Sequence, residues 1–490
     1  MTAARLTQLS DVTGTVALPE YEPAAHGVGI VHLGLGAFHR AHQAVMTDAA
    51  ISKMGGDWRI IGVSLRSRAI ATALEPQNGL YTLIERSAQG AAGRIIGSIA
   101  AVIAADPQAT LSALCDPGIR VVTLTVTEKA YGIDRATGAP DRQHPAIAAD
   151  VASPKMPTGV LGLLTAALAS RRATGIAPFT VLCCDNLPNN GRFLQGGVIG
   201  FARITDPELA DWIETNVDFP ACMVDRITPA ATQDTLRDAT SLTGCIDAAA
   251  IETEPFTQWV IEDRFSQGRP AWEHGGAIFV ADVEPYEQMK LRMLNGTHTM
   301  LAYAGFLSGH RYVRDVMGDP NLARLVSRHL AAAAAVLRPL PGVDFGQYAS
   351  DLETRFRNPA IRHETYQIAM DGTEKLPQRI FAAAVDTLRA GQDIRPFAFA
   401  TAAWMRYCLG QDETGKAYAL RDPREVEIAA ALSAVPRNAQ AISSTLHELP
   451  ALFPDDLKGS PHWRASVEGV LTEMLTNGVA AAVSLEAANG

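Results

Sequence analysis

Residues 27–42 read Gly-Val-Gly-Ile-Val-His-Leu-Gly-Leu-Gly-Ala-Phe-His-Arg-Ala-His. A short β-branched run enters a G-x-G turn, and residues 40–53 then follow a helical pattern. Strand, glycine turn and helix in that order form the opening of a nucleotide-binding βαβ unit. Gly34 permits the tight turn, and Gly36 lets the backbone approach a pyrophosphate at the start of the helix. Ala37 and Phe38 complete the turn, and His39 stands where the usual fingerprint has its third glycine. A second strand at residues 58–65 arrives at βαβ spacing. An acid at its end would bind the ribose 2′-hydroxyl of NAD. The chain instead has Arg66-Ser67-Arg68-Ala69. Arg66 and Arg68 either receive a 2′-phosphate or are solvated loop charges, so NAD and NADP both stay open.

Two further apolar runs, 119–127 and 178–184, are nearly free of polar residues, as strands buried on both faces of a parallel sheet should be. The first leads into Glu128-Lys129. The second leads into Asp185-Asn186-Leu187-Pro188-Asn189-Asn190-Gly191. Ligands of open α/β sheets bind beyond the carboxyl ends of the strands, which places Asn186 to meet a substrate. Turn chemistry before Pro188 is the alternative. Asp225-Arg226, inside an apolar run, is either a structural ion pair or part of a site. The last strand is expected at 277–283, and beyond about residue 284 the pattern turns alanine-rich and helical. The expected fold class is therefore α/β, with a doubly wound sheet domain over 1–284 and a mainly α-helical domain over 285–490.

Residues 285–305 read as one helix. At about 100° per residue, Lys290, His298 and Asn295 fall at roughly 0°, 80° and 140°. Leu301 and Leu294, at roughly 20° and 40°, share that face, while Arg292 and Thr299 point away. A lysine, an amide and an imidazole thus sit in an apolar stripe. Burial lowers the pKa of an ammonium, and a lysine lowered by about 3 units serves as a base near neutral pH. Asn295 can donate to a developing alkoxide, and His298 can hold a hydroxyl. The alternative is a core helix with a snorkelling lysine.

Composition narrows the partners. Net charge is −10, from 42 basic and 52 acidic residues, which argues against nucleic acid or an anionic membrane. None of the six cysteines forms a C-x-x-C pair, and no Cys/His zinc set is visible, so no metal is expected. The first residues lack an apolar core with a cleavage site, and the alanine run at 331–335 is too short to span a bilayer. These features read as a cytoplasmic protein with reduced thiols.

On the nucleotide turn at 34–42 and the pattern K-x4-N-x2-H met by Lys290, Asn295 and His298, the chain resembles the mannitol dehydrogenase family, the polyol-specific long-chain dehydrogenases. The segments T-V-T-E-K at 125–129, C-D-N at 184–186, M-V-D-R-I at 223–227 and G-R-P-A-W at 268–272 are similar too. The resemblance implies a Rossmann-type N-terminal domain, a helical C-terminal domain and an active site between them. It implies metal-free hydride transfer between NAD(P) and a secondary alcohol, in a monomer or weak homodimer. Lys290 would be the general acid/base, Asn186 and Asn295 the oxyanion donors, and His298 and Asp225 the groups orienting substrate hydroxyls. Gly34, Gly36, Ala37, Phe38, His39, Arg66, Arg68, Thr127, Glu128 and Lys129 would hold the cofactor. Residues 358–379 look most like the fructuronate reductase (D-mannonate oxidoreductase) branch. Lys375 matches a substrate-binding lysine, and Gln367 stands where mannitol enzymes tend to carry arginine. A uronate carboxylate would want a cation, for which Lys375, Arg362 and Arg379 are available. Residues 186–191 look more like the mannitol branch, so mannitol/fructose stays open beside mannonate/fructuronate. A cofactor-binding sensor that lost its chemistry is the reading from another class.

Overall fold

The computed structural model describes residues 3–135 and 137–489. Its contacts divide the chain into two units, Met1–Glu284 and Pro285–Gly490.

The N-terminal unit is built on a five-stranded parallel sheet. Among the described residues the strands run in chain order: β1 Val28–Leu33, β2 Arg59–Ser64, β3 Tyr81–Ser87, β4 Gly90–Ile96, β5 Ile99–Ala104, β6 Val121–Leu124, β7 Thr180–Cys183, β8 Cys222–Asp225, β9 Ile251–Thr253, β10 Gln258–Glu262 and β11 Ile278–Val280. The parallel sheet has the order β5-β2-β1-β6-β7. The chain therefore leaves β1 on one side through β2 and β5, then returns to the other side of β1 for β6 and β7. The gap between β1 and β6 is the topological switch point. Strand alternation explains why these runs are apolar throughout. Val31, Leu33, Val122, Leu124, Val181 and Cys183 pack into one core, beneath helices such as Val160–Thr174 and Asn190–Thr205. Ile30, Val121, Leu182 and Cys184 face the opposite way, against helix Gln43–Met54 and the tryptophans Trp58, Trp259 and Trp272.

Several bounds differ from the sequence reading. Beyond the G-x-G turn the helix breaks at His42, into Ala37–Ala41 and Gln43–Met54. The runs at 119–127 and 178–184 give only four strand residues each, because their last residues bend into the loops of the carboxyl edge. The expected last strand shrinks to β11, in a separate three-stranded sheet with β10 and β8. β3, β4 and β9 form a third sheet, whose hairpin is inserted between β2 and β5.

The C-terminal unit is helical. Helix Arg395–Tyr407 is buried on all sides from Phe397 to Tyr407 and packs on Pro461–Asn477. Arg395 donates to buried Glu486 at 2.8 Å, tying in the last helix, Val479–Ala488. Among the described residues, no helix is long and apolar enough to cross a membrane. All six cysteines are free, and Cys183 and Cys184 are fully buried.

Packing also buries histidines in neutral form. Desolvation lowers His32 and His329 to about 3, and His363 and His447 to about 4. His39 and His298 fall well below 6.5 for the same reason. Below pH 6.5 the unfolded chain takes up protons that these folded side chains refuse. Each histidine then removes about 1.4 kcal/mol of stability per pH unit, down to its own folded value. Four of the six lie in the C-terminal unit, so this unit loses roughly twice as much as the other. The urea midpoint, followed by circular dichroism, is expected to fall steeply as the pH drops below 6.5, with the C-terminal unit unfolding first. A flat midpoint down to about pH 5 would contradict this account.

Candidate active site

The register of the parallel sheet builds the candidate cofactor cleft of the N-terminal unit. Leu33 pairs with Leu124, so the turn starting at Gly34 leaves β1 beside Thr125. Gly34 has φ +101°, and a Cβ there would lie 2.1 Å from the Thr125 carbonyl oxygen. Only glycine fits that position. The turn is pinned by the Gly34 and Leu35 amides, which donate to the Val63 carbonyl at 2.8 and 2.9 Å. His32 braces it from below. Its Nε2 lies 3.2 Å from the Gly34 carbonyl and 2.9 Å from the Thr125 hydroxyl, and its Nδ1 lies 2.8 Å from the Thr123 hydroxyl.

Above this switch point opens a cleft of about 460 Å³. Of the expected cofactor residues, Gly34, Gly36, Arg66, Thr127 and Lys129 line it. A Cβ added at Gly36 would meet nothing closer than the Gly34 carbonyl at 3.7 Å, so the glycine leaves open space for a ligand. The residues present therefore fit the phosphates of a dinucleotide. Ala37, Phe38, His39, Arg68 and Glu128 are not in its wall. His39 is fully buried, its ring stacked on His32 at 3.4 Å between centroids. Arg68 donates to the Ala104 carbonyl, and Glu128 is paired with Arg135.

Sequence reading assigned no role to Asp185, yet its carboxylate shapes the cleft. It accepts from the Val126 and Thr127 amides, both at 3.1 Å, and from the Tyr131 hydroxyl at 2.6 Å. Thr127 has φ +73°, a strained conformation for a β-branched residue that costs roughly 1–3 kcal/mol and needs such an anchor. The readable signal was the acid just past an apolar strand end. Burial raises the Asp185 pKa, and the three donors oppose that shift. Asn186 follows on the exposed loop, and Asp225 closes β8 as a buried carboxylate. Its neighbour Arg226 is structural: it donates to the Ala41 and Glu254 carbonyls and pairs with Glu85.

A separate cluster of the expected site residues lies in the C-terminal unit. Residues 285–305 are helical but not one α-helix. Glu284–Met289 and Gly296–Leu307 are joined by a π-helical turn over Lys290–Asn295. The wheel drawn at α-helical pitch is corrected accordingly. A π turn closes i→i+5 bonds in place of i→i+4, so the α-helical spacing does not carry across Lys290–Asn295. The apolar stripe is corrected too, since Gly296 to Gly305 is buried all round, Thr299 included. Arg292 pairs with Asp386 at 2.8 Å.

Lys290 and His298 are buried, and Asn295 is partly so. Neither Asn295 Oδ1 nor His298 Nε2 has a hydrogen-bond partner among the described residues. His298 packs on Phe356 and His363, at 4.5 and 5.2 Å between centroids. Burial first, then the charges of His363, Arg355 and Arg379, keep His298 neutral. Arg379 comes from a second π-helical turn, Pro377–Phe381, and is lowered to about 10 by burial. Its guanidinium lies 3.4 Å from the Thr299 hydroxyl. A Cβ on Gly296 would lie 2.7 Å from the Arg379 carbonyl, so this glycine lets the two π turns meet. Lys375 donates to the Met370 carbonyl at 2.5 Å and lies 3.6 Å from Asp371. Arg362 and Gln367 are exposed. No group of three or more His, Cys, Asp or Glu that could hold a metal ion occurs among the described residues.

Asp185→Asn leaves one acceptor oxygen for three donors and turns an amide N–H₂ against a backbone N–H. It is expected to cost about 1–3 kcal/mol in urea unfolding. As Thr127 relaxes, NADH affinity measured by fluorescence titration should fall several-fold. Unchanged affinity would show that Asp185 does not shape the cleft.

Residues 28–274 match the mannitol dehydrogenase Rossmann domain, and residues 282–475 match the mannitol dehydrogenase C-terminal domain. The chain is 43% identical over 454 residues to the oxidoreductase YeiQ of Escherichia coli strain K12, covering 92% of this chain and 93% of that one. It is 40% identical over 480 residues to the D-mannonate oxidoreductase of the same strain, covering 96% and 98%. The solved Pseudomonas fluorescens mannitol 2-dehydrogenase, a ternary complex with NAD and D-mannitol, superposes with a TM-score of 0.84 at 38% identity, over 98% of this chain and 99% of that one. The resemblance read from the glycine turn and the K-x4-N-x2-H pattern therefore holds over both units, and the chain belongs to the mannitol dehydrogenase family of oxidoreductases.

Proposed function

We propose that the protein is an NAD(P)-dependent, metal-independent oxidoreductase that interconverts a six-carbon ketose acid and its secondary alcohol, D-fructuronate and D-mannonate above all. The observation carrying the acid substrate is the presence of cationic side chains near His298: burial first, then Arg355 and Arg379, keeps it neutral, and burial first, then Lys375, does the same to the adjoining His363. A carboxylate on the substrate would be attracted to such a cluster. The 40% identity to a D-mannonate oxidoreductase supports the same substrate. The Pseudomonas fluorescens relative, solved with D-mannitol, favours a second reading: a mannitol 2-dehydrogenase acting on D-mannitol and D-fructose.

When bound in the cleft, the dinucleotide supplies the hydride acceptor for oxidation or the donor for reduction. The chain supplies proton transfer and charge stabilisation. Lys290 would take the proton of the reacting hydroxyl and return it to the ketone oxygen on reduction. Asn295 and Asn186 would donate to the oxygen while it carries negative charge. The unpartnered His298 Nε2 would meet a substrate hydroxyl, as would Asp225.

Lys290→Ala is expected to lower kcat by about 10²–10⁴ while NADH still binds by fluorescence titration. Near-normal kcat would remove the lysine from the chemistry. The pH profile of alcohol oxidation should rise with a single ionisation below the ordinary lysine range, and chelators should leave the rate unchanged. NADH oxidation with D-fructuronate and D-fructose, measured side by side, decides the substrate. A large preference for fructuronate sustains the acid reading, and a preference for fructose replaces it with the mannitol one.

A further inference from the structure

The geometry points to a 2′-phosphate subsite at the end of β2, centred on Arg66, so that the cleft takes NADP. This inference rests on the cleft being a dinucleotide site. In that fold the adenosine ribose lies beyond the second strand of the sheet, and a carboxylate there binds its 2′-hydroxyl and repels a phosphate. Here β2 ends at Ser64, and the cleft wall continues as Leu65, Arg66 and Ser67.

Among the described residues, no carboxylate lines the cleft. Three acidic residues flank it in sequence, and each is directed elsewhere. Asp106, just past β5, caps helix Pro107–Cys115 by accepting from the Ala109 amide at 2.9 Å. Glu128 is paired with Arg135. Asp185 accepts from Val126, Thr127 and Tyr131. The charged groups left on the wall are cations, Arg66 and Lys129, and Arg66 is the one at the β2 edge.

The loop around Arg66 is held in place. The Ser64 hydroxyl donates to the Ser67 carbonyl at 2.7 Å, and the Ser67 hydroxyl accepts from the Ala69 amide at 3.2 Å. The two arginines of the segment thereby part: Arg68 turns back to the Ala104 carbonyl at 3.4 Å, and Arg66 stays on the wall, exposed to solvent. A planar guanidinium in an open cleft suits a phosphate through paired hydrogen bonds and has nothing to offer a lone ribose hydroxyl that a carboxylate would supply.

The test is direct binding to the full chain by calorimetry, with NADH, NADPH, 5′-AMP and adenosine 2′,5′-bisphosphate. The 2′-phosphate is expected to raise affinity about tenfold in each pair. Arg66→Ala should abolish that gain, Arg66→Lys should keep part of it, and Arg66→Asp should reverse it. Arg68→Ala should leave the ratio as it was. Equal or weaker binding of the 2′-phosphorylated partner overturns the inference. So does Arg66→Ala weakening both members of each pair alike, which would mean that the guanidinium stacks on adenine. Tight NADH binding without NADPH sinks this inference and leaves the dinucleotide reading standing. Binding of none of the four sinks both.

Discussion

The pairing of Leu33 with Leu124 is the constraint on which the nucleotide half of this protein depends. β1 and β6 are sheet neighbours reached by chain paths that diverge, so the loops leaving them must separate at the carboxyl edge. The register sets the Thr125 carbonyl where a side chain at residue 34 would be. Glycine is then obligatory, the turn takes a positive φ, and the space above it stays open. On the other loop, Thr127 is held in the left-handed region by the Asp185 carboxylate. His32 bridges the two loops from beneath, and its own burial keeps it neutral and able to accept as well as donate. Register, glycine, strained threonine and carboxylate are thus one coupled arrangement.

The C-terminal unit solves a different problem. Lys290 and His298 are buried there and Asn295 partly so, and residues 296–305 are buried all round. The π turn over Lys290–Asn295 widens the helix by closing i→i+5 bonds. A second π turn carries Arg379 to Thr299, and Gly296 allows the two to approach. π turns widen a helix at the expense of hydrogen-bond geometry, and this unit carries them at both places.

Much of this was legible in the sequence, and the parts that were not have physical reasons. β5, only partly buried along its length, and the strand order did not follow from the sequence, whereas β1, β2, β6 and β7 followed from their apolar runs. Their ends did not, because β6 and β7 stop where carboxylate and threonine contacts bend the chain, and those contacts are long-range. The glycines of the turn were readable from the motif. The inward stacking of His39 on His32 was not, since a histidine after a glycine turn looks equally fit to face a ligand. The two arginines after β2 were indistinguishable until the Ser64–Ser67 bond and the Ala104 carbonyl separated them. The π turn was invisible for a related reason: at α-helical pitch Lys290, Asn295 and His298 already share a broad face, so nothing in the pattern asks for a wider turn. Asp225 and Arg226, adjacent in sequence, could be read as a pair, but Arg226 is bonded to three other elements.

The unpartnered atoms explain why such a site is kept in an otherwise close-packed interior. Among the described residues, Asn295 Oδ1, His298 Nε2 and His363 Nδ1 find no hydrogen-bond partner. Each buried polar atom left in that state costs about 1–3 kcal/mol. Apolar residues of similar shape would remove the cost and make the helix bundle more stable. They would also remove the groups able to hold hydroxyls. On the function proposed above, a polyhydroxylated ligand would be the complement of this arrangement, because each hydroxyl both donates and accepts and so would satisfy whichever atom it met. Its binding would then restore the hydrogen bonds that folding left unmade, and the bound state would recover stability that the empty protein forgoes.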